Sequence, residues 1–206
     1  MLTLYGMPGT RSDRALWALE ECGLPYEFVH IDLFKGEGRS PAYLAINPAG
    51  KVPALVDDSV PGGWVLTESA AICTYIADKA GTGLVPPCDS PLRAQHEQWC
   101  YFTMTELEQP LWTMSKHSFA LPPAQRVPAV IETARWEFAR SLQLLASALQ
   151  GREYILGDTF TVADILIAHT LVWARNSQLP LADETIALYL KRVLARPAYG
   201  KVRSLG

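Results

Sequence analysis

Residues 10 to 13, Thr-Arg-Ser-Asp, put two hydroxyls and a guanidinium side by side in a loop that opens a helical pattern. Such groups stabilise an anion. One hydrogen bond to an anion contributes about 1.5–3 kcal/mol, and a helix N-terminus adds about 0.3–1 kcal/mol. Thr10, Arg11 and Ser12 are therefore the first candidates for chemistry, and Asp13, three residues after Thr10, has the spacing of a capping box. Glu68-Ser69 is a second place, at the start of another helical pattern. Free N–H groups and a Ser hydroxyl bind a carboxylate there, while the Glu side chain can hold an ammonium. The third is "NPAGKVPAL", where Lys51 precedes Val52-Pro53 at the head of an apolar run. Proline gives no N–H to a ladder, so Pro53 belongs to an edge strand or a strand start.

These stretches need a frame to bring them together. "LTLY" reads as a short buried strand, "GMPG" as a turn, and "TRSDRALWALEECGLP" as a helix. Ala15, Leu16, Leu19 and Cys22 recur there at helical spacing, and Gly23 with Pro25 gives the stop. "YEFVHIDL" alternates and reads as a second strand, completing a βαβ unit whose crossover should be right-handed. A short helix around "SPAYLAIN" follows, then the strands "VPALV" and "WVLT" joined by the hairpin-like "DDSVPGG". "ESAAICTYIADKAG" reads as a helix starting at Glu68 or Ser69, with Ile72, Tyr75 and Ile76 inward and Gly81 past its end. The expectation is an α/β domain over residues 1–80, βαβ followed by ββα around a four-stranded mixed sheet. The Gly/Pro-rich "GTGLVPPCDSP" marks a linker over 81–90. Residues 91–206 read as an all-helical domain, as in the run Ile131, Ala134, Phe138, Leu142, Leu145, Leu149. Within it, Thr161 and Asp164 form a capping box with Phe160 and Ile165 as its staple, a stabilising and not a catalytic device.

Composition narrows the classes. At 206 residues, 49% hydrophobic and 19% charged, the chain is a globular protein long enough for two modest cores. A net charge of −3 with no long basic block argues against nucleic acid. The opening "MLTLYGMPGTRSDR" lacks a signal-peptide pattern and no long uncharged apolar segment occurs, so a cytoplasmic protein without a membrane span is expected. The four cysteines have no C-x-x-C and no metal-ligand spacing with the histidines, which excludes a structural zinc and implies buried, reduced thiols.

"LYGMPGTRSDRALWALEECGLPYE", "NPAGKVPAL", "LTESAAICTYIA", "GDTFTVADI" and "ARPAYGKV", in this order, resemble the cytosolic glutathione transferases (glutathione S-transferases), of a bacterial type with a Ser/Thr-like N-terminal loop. The resemblance rests on five separate stretches and covers nearly the whole chain. It implies a thioredoxin-like first domain that binds glutathione as co-substrate, without a metal, and an all-α helical-bundle second domain that carries much of the electrophile site. It also implies that the Val52–Pro53 bond is cis, with Val52 offering its backbone to the cysteinyl part of glutathione like a short added strand. Glu68 and Ser69 match the pair that holds the γ-glutamyl group, and Lys51 is placed to reach the glycyl carboxylate.

What then holds the glutathione thiolate, the nucleophilic form, has three answers in the same loop. Thr10 or Ser12 would donate a hydrogen bond, and Arg11 would act by charge; Tyr5, on the strand, is a weaker fourth. Many relatives have Ser-Arg-Ser where this chain has Thr10-Arg11-Ser12, a departure that keeps the hydroxyl and adds a methyl. The implied activity is detoxifying conjugation of glutathione to a small hydrophobic electrophile, in a homodimer. Met7, Pro8, Trp99, Phe102 and Trp112 are candidates to line the electrophile pocket. Alternatives are glutathione-dependent reduction of disulfides or peroxides, and a non-catalytic glutathione-binding scaffold; the missing C-x-x-C disfavours a dithiol oxidoreductase.

Overall fold

A computed structural model describes residues 1–205. Four short strands frame the first unit: β1 (Leu2–Gly6), β2 (Tyr26–His30), β3 (Ala54–Asp57) and β4 (Trp64–Leu66). They lie in the order β2-β1-β3-β4, with β1 parallel to β2 and antiparallel to β3, and β3 antiparallel to β4. This is the expected mixed sheet of a thioredoxin-like domain. The apolar central strands bury Leu2, Leu4, Ala54 and Leu55. Helices α1 (Ser12–Cys22) and α3 (Ser69–Ala80) pack on each other and on β1 and β3, while α2 (Pro41–Ile46) is a single short helix capped by the Ser40 hydroxyl. Gly23 and Gly81 end α1 and α3 in the left-handed conformation that their sequence positions forecast. The buried Asp57 carboxylate gathers Ser59, the Tyr75 hydroxyl and Lys79, fastening the end of β3 to α3. Burial alone would raise this carboxyl, but those three partners hold it well below the usual range.

Ala15, Leu16, Trp17, Ala18 and Leu19 are all buried, which is more than one helical face. The second side of α1 is covered by α9 (Pro197–Arg203). Trp17 and Tyr199 rings lie 4.7 Å apart, Arg196 forks onto the Glu21 carboxylate with two bonds of 2.7 Å, and Lys201 reaches Glu20 at 2.8 Å. The chain accordingly divides into Met1–Val85 together with the segment from Ala195, and Pro86–Leu194. The sequence reading put residues 91–206 together; α9 departs from it because its partners on α1 lie far back in the chain.

The second unit consists of α4 (Pro91–Phe102), α5 (Glu108–Ser115), α6 (Val130–Leu149), α7 (Val162–Asn176) and α8 (Glu184–Leu194). A π-helical turn, Thr103–Leu107, separates α4 from α5. Pro110 has no N–H for the carbonyl of Glu106; the Ser141 hydroxyl of α6 donates to that oxygen instead, at 3.0 Å. α7 is buried continuously from Val162 to Ala168 and begins with the expected Thr161/Asp164 capping box, with Phe160 and Ile165 both buried. Cys73 and Cys100 are buried as expected, but Cys22, in the last turn of α1, is half-exposed and Cys88, in the Gly/Pro-rich connector, is exposed. Among the described residues, no helix is long and apolar enough to cross a membrane.

Candidate active site

The last residue pair between β1 and β3 is Tyr5 with Ala54, so Pro53 lies just outside that ladder, beside Gly6, which still pairs with His30 of β2. The Val52–Pro53 bond is cis and the strand begins at Ala54, which places the proline just before the ladder, where no N–H is required of it. The approach to Val52 is fixed by two buried side chains that the sequence reading passed over. The Tyr43 hydroxyl and the Asn47 amide both donate to the Lys51 carbonyl, at 2.5 and 2.6 Å. The Lys51 side chain itself is exposed.

On the other side stands the loop from Met7 to Arg11. Ser12, the first residue of α1, is fully buried; its Oγ accepts from the Met7 N–H at 3.1 Å and lies 2.9 Å from the Thr10 Oγ1. Thr10 donates to the Met7 carbonyl at 2.6 Å. A hydroxyl has a single proton, so with that of Thr10 on Met7 the shared bond is donated by Ser12. Ser12 is thus spent inside the loop, and the half-exposed Thr10 is the hydroxyl at the surface. The expected Thr10/Asp13 capping box is not formed. α1 starts one residue later, with Arg11 in helical backbone as N-cap and no side-chain cap, so Asp13 falls out of register and instead accepts from the Gly9 N–H, 3.1 Å from each oxygen. Arg11 is half-exposed beside it.

Gly6 lets this loop close. A Cβ there would stand 2.8 Å from the Ser12 Cβ, 2.9 Å from its Oγ and 3.0 Å from the Phe28 ring. Gly6→Ala should therefore lower the unfolding free energy by about 1–3 kcal/mol, as overpacking does. Urea denaturation read by tryptophan fluorescence measures this, and an unchanged midpoint would mean that the loop does not rest on Gly6.

The third element is the start of α3. Ser69 is buried at its first position and Glu68, its N-cap, is exposed with φ 66° and ψ 111°. A non-glycine residue held at positive φ costs about 1–3 kcal/mol and is characteristic of ligand-binding positions. Arg14, fully buried, donates through Nη1 to the Ser69 Oγ at 3.2 Å. That bond occupies a lone pair of Ser69 and directs the hydroxyl proton elsewhere, and it links the start of α1 to the start of α3. The sequence reading missed Arg14. The available signal was a cation beside the apolar run Ala15–Leu19, with no acidic residue three or four positions away.

Of the expected pocket residues, Met7 and Pro8 are half-buried in the first loop. In the second unit Trp99 and Phe102 pack edge to face, 5.2 Å between centroids, and like Trp112 they are half-buried. Among the described residues, no three His, Cys, Asp or Glu side chains are grouped as metal ligands would be. The first unit thus offers the Thr10 hydroxyl in the loop between β1 and α1, a backbone segment before β3, and a helix N-terminus carrying Ser69 and Glu68. Taken singly, a helix N-terminus with a hydroxyl can bind a carboxylate, and a backbone segment outside the ladder can pair with an extended peptide.

Comparison with known proteins matches both halves of the chain. The family model "Glutathione S-transferase, N-terminal domain" matches residues 1–78, and "Glutathione S-transferase, C-terminal domain" matches residues 128–202. Glutathione S-transferase F10 of Arabidopsis thaliana is 36% identical over 171 residues, 80% of this chain and 77% of its own. The disulfide-bond oxidoreductase YfcG of Escherichia coli K12 is 31% identical over 205 residues, 98% of this chain and 94% of its own. Among solved structures, the glutathione transferase URE2P6 of Phanerochaete chrysosporium in complex with oxidized glutathione superposes with a TM-score of 0.86 and 31% identity, over 99% of this chain and 95% of that one. With both domain models matched in order on a thioredoxin-like sheet and a helical unit, the chain belongs to the glutathione S-transferase family.

Proposed function

We propose that the protein is an enzyme that binds glutathione as co-substrate and transfers its thiolate to a small hydrophobic electrophile. The reading is carried by the ends of β1, β3 and α3, which present the Thr10 hydroxyl, the Val52–Pro53 segment and the Arg14-backed Ser69 within one unit. Ser69 and Glu68 receive the γ-glutamyl carboxylate and ammonium, Val52 pairs with the cysteinyl backbone, and Lys51 faces the glycyl carboxylate. Thr10 donates to the sulfur, with Ser12 behind it holding the loop and Arg11 adding positive charge. The thiolate sulfur then attacks the electrophilic carbon with its electron pair, a C–S bond forms, and the leaving group departs with the pair of the broken bond. No metal takes part.

A second reading, reduction of disulfides, is favoured by the similarity to a named disulfide-bond oxidoreductase. None of the four cysteines lies in residues 7–14, 50–53 or 68–69, so the thiols would come from glutathione. One thiolate attacks the disulfide and a second resolves the mixed disulfide, releasing oxidised glutathione. A homodimer in the cytoplasm is the setting we propose for either reaction.

Calorimetric titration with glutathione, followed by parallel assays with a chlorodinitrobenzene and with hydroxyethyl disulfide, separates these readings. Binding with thioether formation is the expected result. Thiol–disulfide exchange alone would favour the second reading, binding without turnover a scaffold, and no binding would overturn the proposal. Sedimentation of the same sample should give a species near twice 22.7 kDa.

A further inference from the structure

The hydroxyls proposed to act on the thiolate sit in a loop that is itself held by one carboxylate. We propose that Asp13 is a positioning residue for this reaction: gripping the Gly9 N–H between its oxygens, it holds residues 7–12 in the form that presents Thr10, and it slackens that hold when protonated. The inference rests on the glutathione reading given above. The geometry is specific. The two Asp13 oxygens are equidistant from the Gly9 nitrogen, at 3.1 Å, and Gly9 is the residue directly before Thr10. Gly9 has a φ of 76°, where nothing restrains it as a side chain would, so the carboxylate supplies the restraint. The Met7, Thr10 and Ser12 bonds that follow are made within the same turn of chain.

The hold is set close to neutrality. Burial pushes the Asp13 carboxyl up to about 6, against the Gly9 amide and the Arg203 guanidinium, both of which favour the charged form. Arg203 comes from α9, whose Lys201 is engaged with Glu20, while Arg196 at its N-cap is engaged with Glu21. On α3 the charged groups are Glu68 at the N-cap and Asp78 and Lys79 near the other end, Lys79 being paired with Asp57. β1 contributes only Tyr5, and Arg11 and Arg14 share the start of α1, the latter directed to Ser69. Because the folded-state value lies above the ordinary 3.8, this group favours the fold fully below that ordinary value and gives up its contribution as pH rises through about 6. Stability and loop order therefore respond to Asp13 in opposite directions.

That opposition makes the proposal testable with Asp13→Asn, which keeps the shape but not the charge. In the ligand-free wild type, the Gly9 amide resonance should move with an apparent pKa near 6, and in Asp13→Asn the movement should vanish. In the glutathione reaction, Asp13→Asn should lower kcat at neutral pH about tenfold while KM for glutathione changes less than about twofold, with the inflection near pH 6 gone from the kcat profile. Its melting temperature at neutral pH should be equal or higher. A Gly9 amide that does not titrate overturns the proposal, as does a loss of activity that merely follows a loss of melting temperature. If Gly9 titrates but the wild type binds no glutathione, the functional reading falls and the assignment to this reaction falls with it, whereas the clamp itself is upheld.

Discussion

Asp164→Ala should lower the unfolding free energy of the protein by about 3–5 kcal/mol, the largest effect of any single substitution considered. The carboxylate is fully buried and takes four hydrogen bonds: Oδ2 from the Thr161 N–H and hydroxyl, Oδ1 from the Ile155 N–H and the Tyr189 hydroxyl. Alanine would cost the cap about 1 kcal/mol, and it would leave two backbone N–H groups and a fully buried tyrosine hydroxyl without an acceptor, at about 1–3 kcal/mol each. Local relaxation keeps the sum below simple addition. Asp164→Asn should recover only part of the loss, since its amide turns an NH2 toward groups that are themselves donors. Urea unfolding of both variants measures the difference. In whatever fraction remains folded, glutathione affinity should be close to that of the wild type, because Asp164 lies in the second unit. A melting temperature equal to the wild type with abolished catalysis would contradict the structural role.

Thr10→Val should raise the pKa of the bound glutathione thiol by about one to two units, since it keeps the side-chain shape and removes one hydrogen bond to an anion worth about 1.5–3 kcal/mol. The conjugation rate at neutral pH should fall about tenfold or more, whereas affinity for an S-alkylated glutathione, which carries no thiolate, should hardly change. The Thr10 proton is on the Met7 carbonyl, at 2.6 Å, so donating to the sulfur means exchanging that bond for one to the anion. The buried Ser12 hydroxyl, which donates to Thr10, loses its acceptor in the same variant. Arg11→Ala should do as much only if charge is the main stabiliser. Ultraviolet titration of the thiolate in each complex decides: an unchanged value for Thr10→Val with a raised value for Arg11→Ala transfers the role to Arg11.

What was legible in the sequence was what is decided locally. Strand alternation, the Gly23 and Gly81 stops, the proline before β3 and the Thr161/Asp164 box each depend on residues a few positions apart, and each appears where its signal lies. The site residues were readable as types in short stretches, but not their division of labour. That Ser12 faces inward while Thr10 faces out follows from α1 beginning one residue later than the capping-box spacing implies. The partners in contacts between distant positions left no local mark, even where, as at Arg14, the residue type itself was a signal. Arg14 meets Ser69 across 55 residues, and Asp164 serves Tyr189 as well as its own helix. The π-helical turn before Pro110 depends in the same way on a hydroxyl supplied from another helix, Ser141.

The pairing of α9 with α1 bears on how the molecule comes into being. Glu21 waits 175 residues for Arg196, and Glu20 waits 181 for Lys201. On the ribosome the N-terminal segment emerges first, yet the flank of α1 that carries Trp17 stays uncovered until the whole of Pro86–Leu194 has been translated. The first unit, begun before the second, is therefore finished after it. If the intervening helices have already condensed by then, they shorten the effective span and reduce the entropy lost in bringing the two ends together.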